Sequence, residues 1–260
     1  ELLEAEERYL PRGADGTSAV VLAASRGEEL GELTEDQPKT MVKIQGAPIL
    51  SHIVDAYNAV GIKDILVVRG YKKDAVNLPN LTYLDNDDFL ETGELMSLSL
   101  ALQSRTGRFQ PTIISYGDVL FNKYIPQALC QEEDECVIFV DSNWQGQVSY
   151  ARLGGFAECT LPNSRKAFNV KVYLKELGNS IPPEAIHGVW MGFLKLSPAA
   201  AGEINNLLLD ILAQPENRKA GIPQLLQELL KRQYPIRVLY TVGHWLDINS
   251  FEDVVQAGNF

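Results

Sequence analysis

The residues best suited to chemistry in this chain begin with a cluster of small side chains and two cations. Leu22, Ala23, Ala24, Ser25 and Gly27 follow an aliphatic run, with Arg26 among them and Lys39 a little further on. Short side chains let backbone N–H groups close on an anion, and a guanidinium adds charge-assisted hydrogen bonds. Pro38 fixes its own φ and biases Gln37 toward extended backbone, so Lys39 projects from a stiffened segment. These are the parts of a triphosphate cradle. They also fit the ordinary small-residue turn after the first strand of a parallel α/β protein. The spacing is neither the Gly-x-Gly-x-x-Gly of a dinucleotide fold nor the Gly-Lys-Ser/Thr of a P-loop.

A carboxylate supplies the second element of chemistry. The buried run from Thr112 ends in Gly117-Asp118, which puts an acid at the carboxyl edge of a sheet, where open α/β folds bind ligands. Asp118 there suits Mg²⁺, with substrate phosphates completing the shell, and it equally suits a helix N-cap. Cys130, Cys136 and Cys159 have no metal-ligand spacing, and their odd number speaks against a disulfide framework. A reducing cytoplasm fits best. His187 is read as a surface or core histidine and is given no chemistry.

The elements that must position these groups follow from hydrophobic periodicity. Ala19–Ala23 reads as a buried strand, Pro48–Val60 as a helix stopped by Gly61, and Ile65–Arg69 as the next strand, which together make a βαβ unit. Leu81–Asp85 is a third strand leading through an acidic loop into an amphipathic helix. Cys136–Asp141 is another strand. From Trp144 to about residue 195 the pattern shortens into alternating pieces, Gln147–Arg152 and Ala167–Tyr173, which read as antiparallel strands added to the parallel core. Ser197–Leu212 and Ile222–Arg232 have the spacing of core-packed helices, Ile236–Tyr240 of a strand, and Asn249 or Ser250 caps a last helix.

Composition narrows the function classes. The 260 residues are 45% hydrophobic, enough for one large α/β domain. A net charge of −11 argues against nucleic acid as a partner, and a triphosphate site would need a divalent metal and a local basic loop. No apolar run is long enough to cross a bilayer and no signal peptide is evident. Residues 1–17 read as a helix end stopped by Pro11 and a Gly/Asp linker, ahead of a domain spanning 18–260.

Leu22-Ala-Ala-Ser-Arg-Gly, Leu33-Thr, Pro38-Lys39 and Ile44-Gln-Gly-Ala-Pro-Ile-Leu together resemble the signature of the nucleotidyltransferases that activate sugar phosphates and phosphocholine. The Ala-Ala-Ser-Arg-Gly form is similar to the domains joined to phosphoenolpyruvate mutases in phosphonate pathways. Three positions depart from the pattern: Ser25 stands for a usual Gly, Glu29 for an Arg that meets the triphosphate, and Val189 for a common Glu in the Gly-x-Trp-x-Gly strand. The N-terminal segment resembles the end of such a mutase, or is a plain helical extension.

The resemblance implies a Rossmann-like α/β fold of the nucleotide-diphospho-sugar transferase kind: a mostly parallel sheet flanked by helices, with an acceptor-side antiparallel insertion at about 144–195. It implies that Asn86 and Ser97-Leu98 lie near base and ribose, and that Trp245-Leu-Asp-Ile supplies Asp247 as a second metal carboxylate beside Asp118. The implied reaction is attack of a phosphonate or phosphate oxygen on the α-phosphorus of CTP, with Mg²⁺ on the two acids and Lys39 and Arg26 on the phosphates. The expected acceptor is 2-aminoethylphosphonate or 2-hydroxyethylphosphonate. Phosphocholine is the alternative, with Tyr150, Trp190 or Trp144 facing its cation, although the large area of such side chains fits core or insertion packing better; a non-catalytic nucleotide-binding domain also remains open.

Overall fold

The computed structural model describes residues 14, 16–144, 155–165 and 170–260. The N-terminal segment 1–13, the expected strand Gln147–Arg152 with Tyr150, and residues 166–169 lie outside the described residues.

The first half is built as periodicity predicts. Strand β1 (Ser18–Ala23) is buried along its whole length. A short hairpin, β2 (Lys43–Ile44) and β3 (Ala47–Pro48), leads into helix α1 (Ile49–Ala59), which ends at Gly61 with φ of 93°. Strands β4 (Asp64–Arg69) and β5 (Thr82–Asp85), helix α2 (Glu94–Ser104) and strand β6 (Thr112–Tyr116) follow. Strands β5, β4, β1 and β6 lie side by side and parallel, which places the ends of β1 and β6 next to one another.

The second half contains β7 (Val119–Phe121), α3 (Tyr124–Gln131), β8 (Cys136–Asp141), β9 (Phe156–Cys159), β10 (Val172–Leu177) and β11 (Gly188–Leu196). Helices α4 (Pro198–Leu212) and α5 (Ile222–Lys231), strands β12 (Arg237–Thr241) and β13 (Trp245–Asp247) and helix α6 (Phe251–Ala257) complete it. The main sheet has the order β5-β4-β1-β6-β11-β8-β12-β10-β9.

One feature departs from a parallel core with antiparallel pieces added outside it. Strand β11 runs antiparallel between β6 and β8, in the middle of the sheet. Its nine residues are all buried, as expected of a strand covered on both faces. Lys195, its single charge, donates to the Glu132 and Asp134 carbonyls at 2.8 and 3.0 Å. Strands β9 and β10 do form the antiparallel edge; β10 spans Val172–Leu177, and the start of the expected strand, 167–169, lies outside the described residues.

A two-stranded pairing outside the main sheet matters most for function. β13 runs antiparallel to β7, with Asp247 opposite Val119, and the Ile248 N–H donates to the Asp118 carbonyl at 3.1 Å. Residues more than a hundred positions apart in the chain thereby meet at the end of β6. Ser250, not Asn249, caps α6 by accepting from the Asp253 N–H.

Candidate active site

The loop after β1 is small because its neighbours leave no room. The Gly117 N–H donates to the Leu22 carbonyl at 2.8 Å, and a side chain added at Gly117 would sit 2.8 Å from the Ala23 Cβ. The Tyr71 N–H donates to the Ala24 carbonyl at 2.9 Å. Leu22, Ala23, Ala24 and the exposed Ser25 therefore line one wall of a cavity of about 360 Å³ at the carboxyl edge of the parallel strands.

Gly27 does a different job from the one expected. It adopts φ of 77°, and a Cβ there would lie 2.5 Å from the Lys39 Cβ, so this glycine makes the space into which the lysine stem packs. It does not line the cavity itself; its carbonyl accepts from the Thr34 hydroxyl at 2.9 Å. Nor does Arg26 face the cavity: its Nε donates to the Thr34 carbonyl at 3.2 Å, and its guanidinium lies 5.6 Å from the Tyr71 ring centre. Arg26 braces the loop.

Lys39 opens a short 3₁₀ turn after Pro38, whose φ of −71° holds the entry, and its N–H donates to the Arg26 carbonyl. Its side chain is only 4% exposed. The ammonium reaches Glu29 at 2.6 Å, Asp118 at 2.8 Å and Asn249 at 2.8 Å, using all three of its donors. Burial by itself would lower its pKa, but attraction to Asp118 and Asp247, with hydrogen bonds to Asp118 and Glu29, raises it well above the ordinary lysine value. Lys39 is a fixed positive charge at any physiological pH.

Asp118 and Asp247 lie together, as the family resemblance implies. Both line the cavity beside Lys39, and Asn249 donates from its amide to an Asp247 oxygen. Burial first, and then repulsion from Asp118, pushes the Asp247 carboxyl well above the usual range, against the opposing pull of Lys39 and Asn249. Two neighbouring carboxylates are a partial set of hard oxygen ligands. Among the described residues no group of three His, Cys, Asp or Glu side chains could hold a metal alone, so phosphate and water oxygens would have to complete a shell.

The far wall carries the polar residues expected near a nucleoside. Asn86, 3% exposed, donates to Ser97 and Thr92 at 3.1 Å each, tying the end of β5 to the first turn of α2. One helical turn earlier, Glu94 accepts from the Tyr116 hydroxyl at 2.5 Å and from the Ile222 N–H at 3.0 Å, both on one oxygen. Burial raises the Glu94 pKa, these hydrogen bonds oppose the rise, and Asp118 adds to it. Phe89 and Lys219 also line this end.

Trp190 is not available as an acceptor surface. It is fully buried, donates from Nε1 to the Phe193 carbonyl at 2.8 Å and packs edge-on against Tyr116 at 5.7 Å. The β11 strand has two buried faces, and the indole fills the core behind the cavity. Trp144 packs edge-on against Phe156 at 5.6 Å, and His187 accepts from the Cys159 N–H through Nδ1 at 3.1 Å, a structural bond.

Sequence reasoning missed Glu94, Tyr116, Lys219 and the site role of Asn249. Alternation was the available signal for one of them: Asp247, which ends β13, and Asn249 flank Ile248. Tyr116 is the last residue of β6, two before Asp118 across the Gly117-Asp118 turn. Glu94 lies three residues before Ser97, on the same helix face.

Comparison with known proteins gives the family and the fold. The MobA-like NTP transferase domain family matches residues 19–189. The chain is 27% identical to the CTP:phosphoglutamine cytidylyltransferase of Campylobacter jejuni over 91% of this chain and 97% of that protein. It is 50% identical to the UTP–glucose-1-phosphate uridylyltransferase AglF of Haloferax volcanii over 92% of this chain and 94% of that one. A CMP-5'-(3-aminopropyl)phosphonate synthase of Streptomyces rubellomurinus is 32% identical over 43% of this chain and 18% of its own length. Among solved structures, the CTP:phosphocholine cytidylyltransferase of Streptococcus pneumoniae superposes with a TM-score of 0.69 at 16% identity, covering 94% of this chain and 98% of that one. The fold is thus the nucleotide-diphospho-sugar transferase-like α/β fold. Because the family match spans well over half of the chain, the protein belongs to the MobA-like NTP transferases and is a nucleotidyltransferase.

Proposed function

We propose that this chain is a Mg²⁺-dependent cytidylyltransferase that joins CMP from CTP to a small phosphonate and releases pyrophosphate. The observation that carries the reading is the meeting of Asp118, Asp247 and Lys39 over one cavity whose near wall is the small-residue loop. Phosphoryl-group transfer needs positioning and charge neutralisation more than covalent catalysis, and this site offers both without a Ser/His or Cys/His pair.

In the reaction an ionised acceptor oxygen forms a bond to the α-phosphorus. The α–β bridging P–O bond breaks, and its electron pair leaves with pyrophosphate. The Ala23–Ser25 backbone receives phosphate oxygens, and Lys39, held charged, exchanges its bonds to Glu29 and Asp118 for bonds to the triphosphate. Asn86 and Ser97 hold the nucleoside side. Asp118 and Asp247 are the groups that would bind Mg²⁺, which supplies Lewis-acid stabilisation of charge on the phosphate oxygens when bound. The phosphonate assignment is supported by the relative that makes a CMP-phosphonate and by the Ala-Ala-Ser-Arg-Gly loop; use of CTP is also supported by the phosphoglutamine cytidylyltransferase.

The relation to a glucose-1-phosphate uridylyltransferase favours a second reading, in which the substrates are UTP and a sugar phosphate. Pyrophosphate release from CTP and UTP with Mg²⁺, against a panel of phosphonates, phosphocholine and glucose 1-phosphate, decides between them. Turnover of CTP with a phosphonate is expected. Turnover confined to UTP and glucose 1-phosphate would replace the proposal, and nucleotide binding without any release would make the chain a binding module.

A further inference from the structure

We infer that Glu94 is the residue that selects the acceptor, and that it does so by receiving a primary ammonium at the far end of a small phosphonate. The inference rests on the cytidylyltransferase reading above and deepens it.

The first ground is position. Along the sheet edge the order is β5, β4, β1, β6, β11. Asn86 follows β5, at one side of the phosphate loop of β1, while Tyr116 ends β6 at the other side. Three strand spacings, roughly 14 Å, separate those strands. Ser97 of α2 bonds to Asn86, whereas Glu94, one turn earlier, bonds to Tyr116. Helix α2 thus reaches across the cleft, and its first residue belongs to the side of Tyr116-Gly117-Asp118. An acceptor whose phosphonate meets Asp118 would extend its short carbon chain along that side.

The second ground is unused capacity. Both hydrogen bonds to the carboxylate fall on Oε2, from the Tyr116 hydroxyl and the Ile222 N–H. Among the described residues nothing donates to Oε1 and no cation forms an ion pair with this side chain, although Glu94 lines the cavity. Two neutral donors orient the group without neutralising it. Oε1 is therefore left for a ligand; burial first, and Asp118 after it, disfavour ionisation of this carboxyl, and a cation bound at Oε1 would offset both and hold it charged. An alcohol in place of the amine would bring a hydrogen bond without the charge, the weaker of the two contacts.

The third ground is rigidity. Tyr116 packs edge-on against the buried Trp190, and a side chain at Gly192 would come within 2.7 Å of the Tyr116 ring. The phenol that orients Glu94 is locked from behind by β11.

The test measures kcat/KM for CTP transfer to 2-aminoethylphosphonate and to 2-hydroxyethylphosphonate, with the wild-type chain and with Glu94→Gln, which keeps an oxygen for Tyr116 and Ile222. The wild type is expected to prefer the amine by about tenfold or more, and Glu94→Gln to lower that ratio by about tenfold, chiefly through KM of the amine. An equal wild-type preference overturns the inference even if the variant fails to fold, and so does an unchanged ratio in a folded variant. A variant that alters the choice between CTP and UTP while keeping the acceptor ratio would show that Glu94 reads the base instead. Absence of pyrophosphate with either phosphonate would remove the cytidylyltransferase reading and this inference together, an outcome distinct from turnover without preference.

Discussion

At the residue scale the site is organised by a conflict among charges. Asp118 and Asp247 face one buried ammonium, and Asp247 ionises only with difficulty because burial and Asp118 both oppose it. A carboxyl whose folded pKa is raised holds its proton where the unfolded chain has lost it. Its contribution to stability is therefore intact at low pH and falls as pH rises from the ordinary carboxylate value toward the raised one. Lys39 has the opposite sense: its raised pKa stabilises the fold through that whole window and its contribution is lost only in the alkaline range. Asp247→Asn should accordingly stabilise the ligand-free protein by about 1 kcal/mol at neutral pH, with the gain shrinking toward acid. The same change should lower kcat by about 100-fold or more. Urea denaturation of both proteins across pH 4 to about 8, beside turnover assays, checks the two halves. A variant less stable than wild type at neutral pH would contradict the electrostatic account, and one that keeps its activity would remove Asp247 from the reaction.

At the scale of elements, β11 carries a motif that serves packing rather than substrate binding. Gly188, Trp190 and Gly192 stand out in sequence, yet their spacing serves packing: Gly188 lies against the Asp141 backbone, Gly192 against the Tyr116 ring, and Trp190 fills the core between. Trp190→Ala should cost about 3–5 kcal/mol in chemical denaturation; unaltered stability with a raised KM for the acceptor would return the indole to the substrate surface. Strands β1, β4, β5 and β6 and helices α1, α2, α4 and α5 were legible because apolar period and turn residues agree there. The central place of β11 was not, because an apolar run records that both faces are covered but not by which neighbours. The same limit applies to the site. Asp118 and Lys39 could be picked out as chemistry-bearing groups from their local setting. Glu94 could not, since a glutamate in the first turn of a helix is common for reasons of the helix dipole, and only the approach of Tyr116 and Ile222 distinguishes it. Gly27 was legible as a glycine that matters and not as the seat of Lys39, for that contact joins two turns of the loop.

For the whole molecule the balance of charge bears on how a triphosphate can enter at all. The chain carries a net charge of −11, and Glu29, Glu94, Asp118 and Asp247 line the cavity against Lys39 and Lys219. A free nucleoside triphosphate would meet repulsion from most of this surface. A divalent cation that binds Asp118 and Asp247 reverses the local potential, so nucleotide and metal should bind with positive coupling. Each ligand then increases the affinity for the other by the same factor. In thermal denaturation, CTP alone and Mg²⁺ alone should each shift the transition little. Both together, at about 100 times the dissociation constant, stabilise by about 2.7 kcal/mol, a rise of roughly 5 °C or more for a chain of this size. Asp118→Asn should abolish the excess of the joint shift over the separate ones. Its loss in that variant would locate the coupling at the paired acids. A joint shift in the wild type no larger than the sum of the two alone would mean that the basic loop and Lys39 suffice to hold the triphosphate, and that the two carboxylates take no part in admitting it.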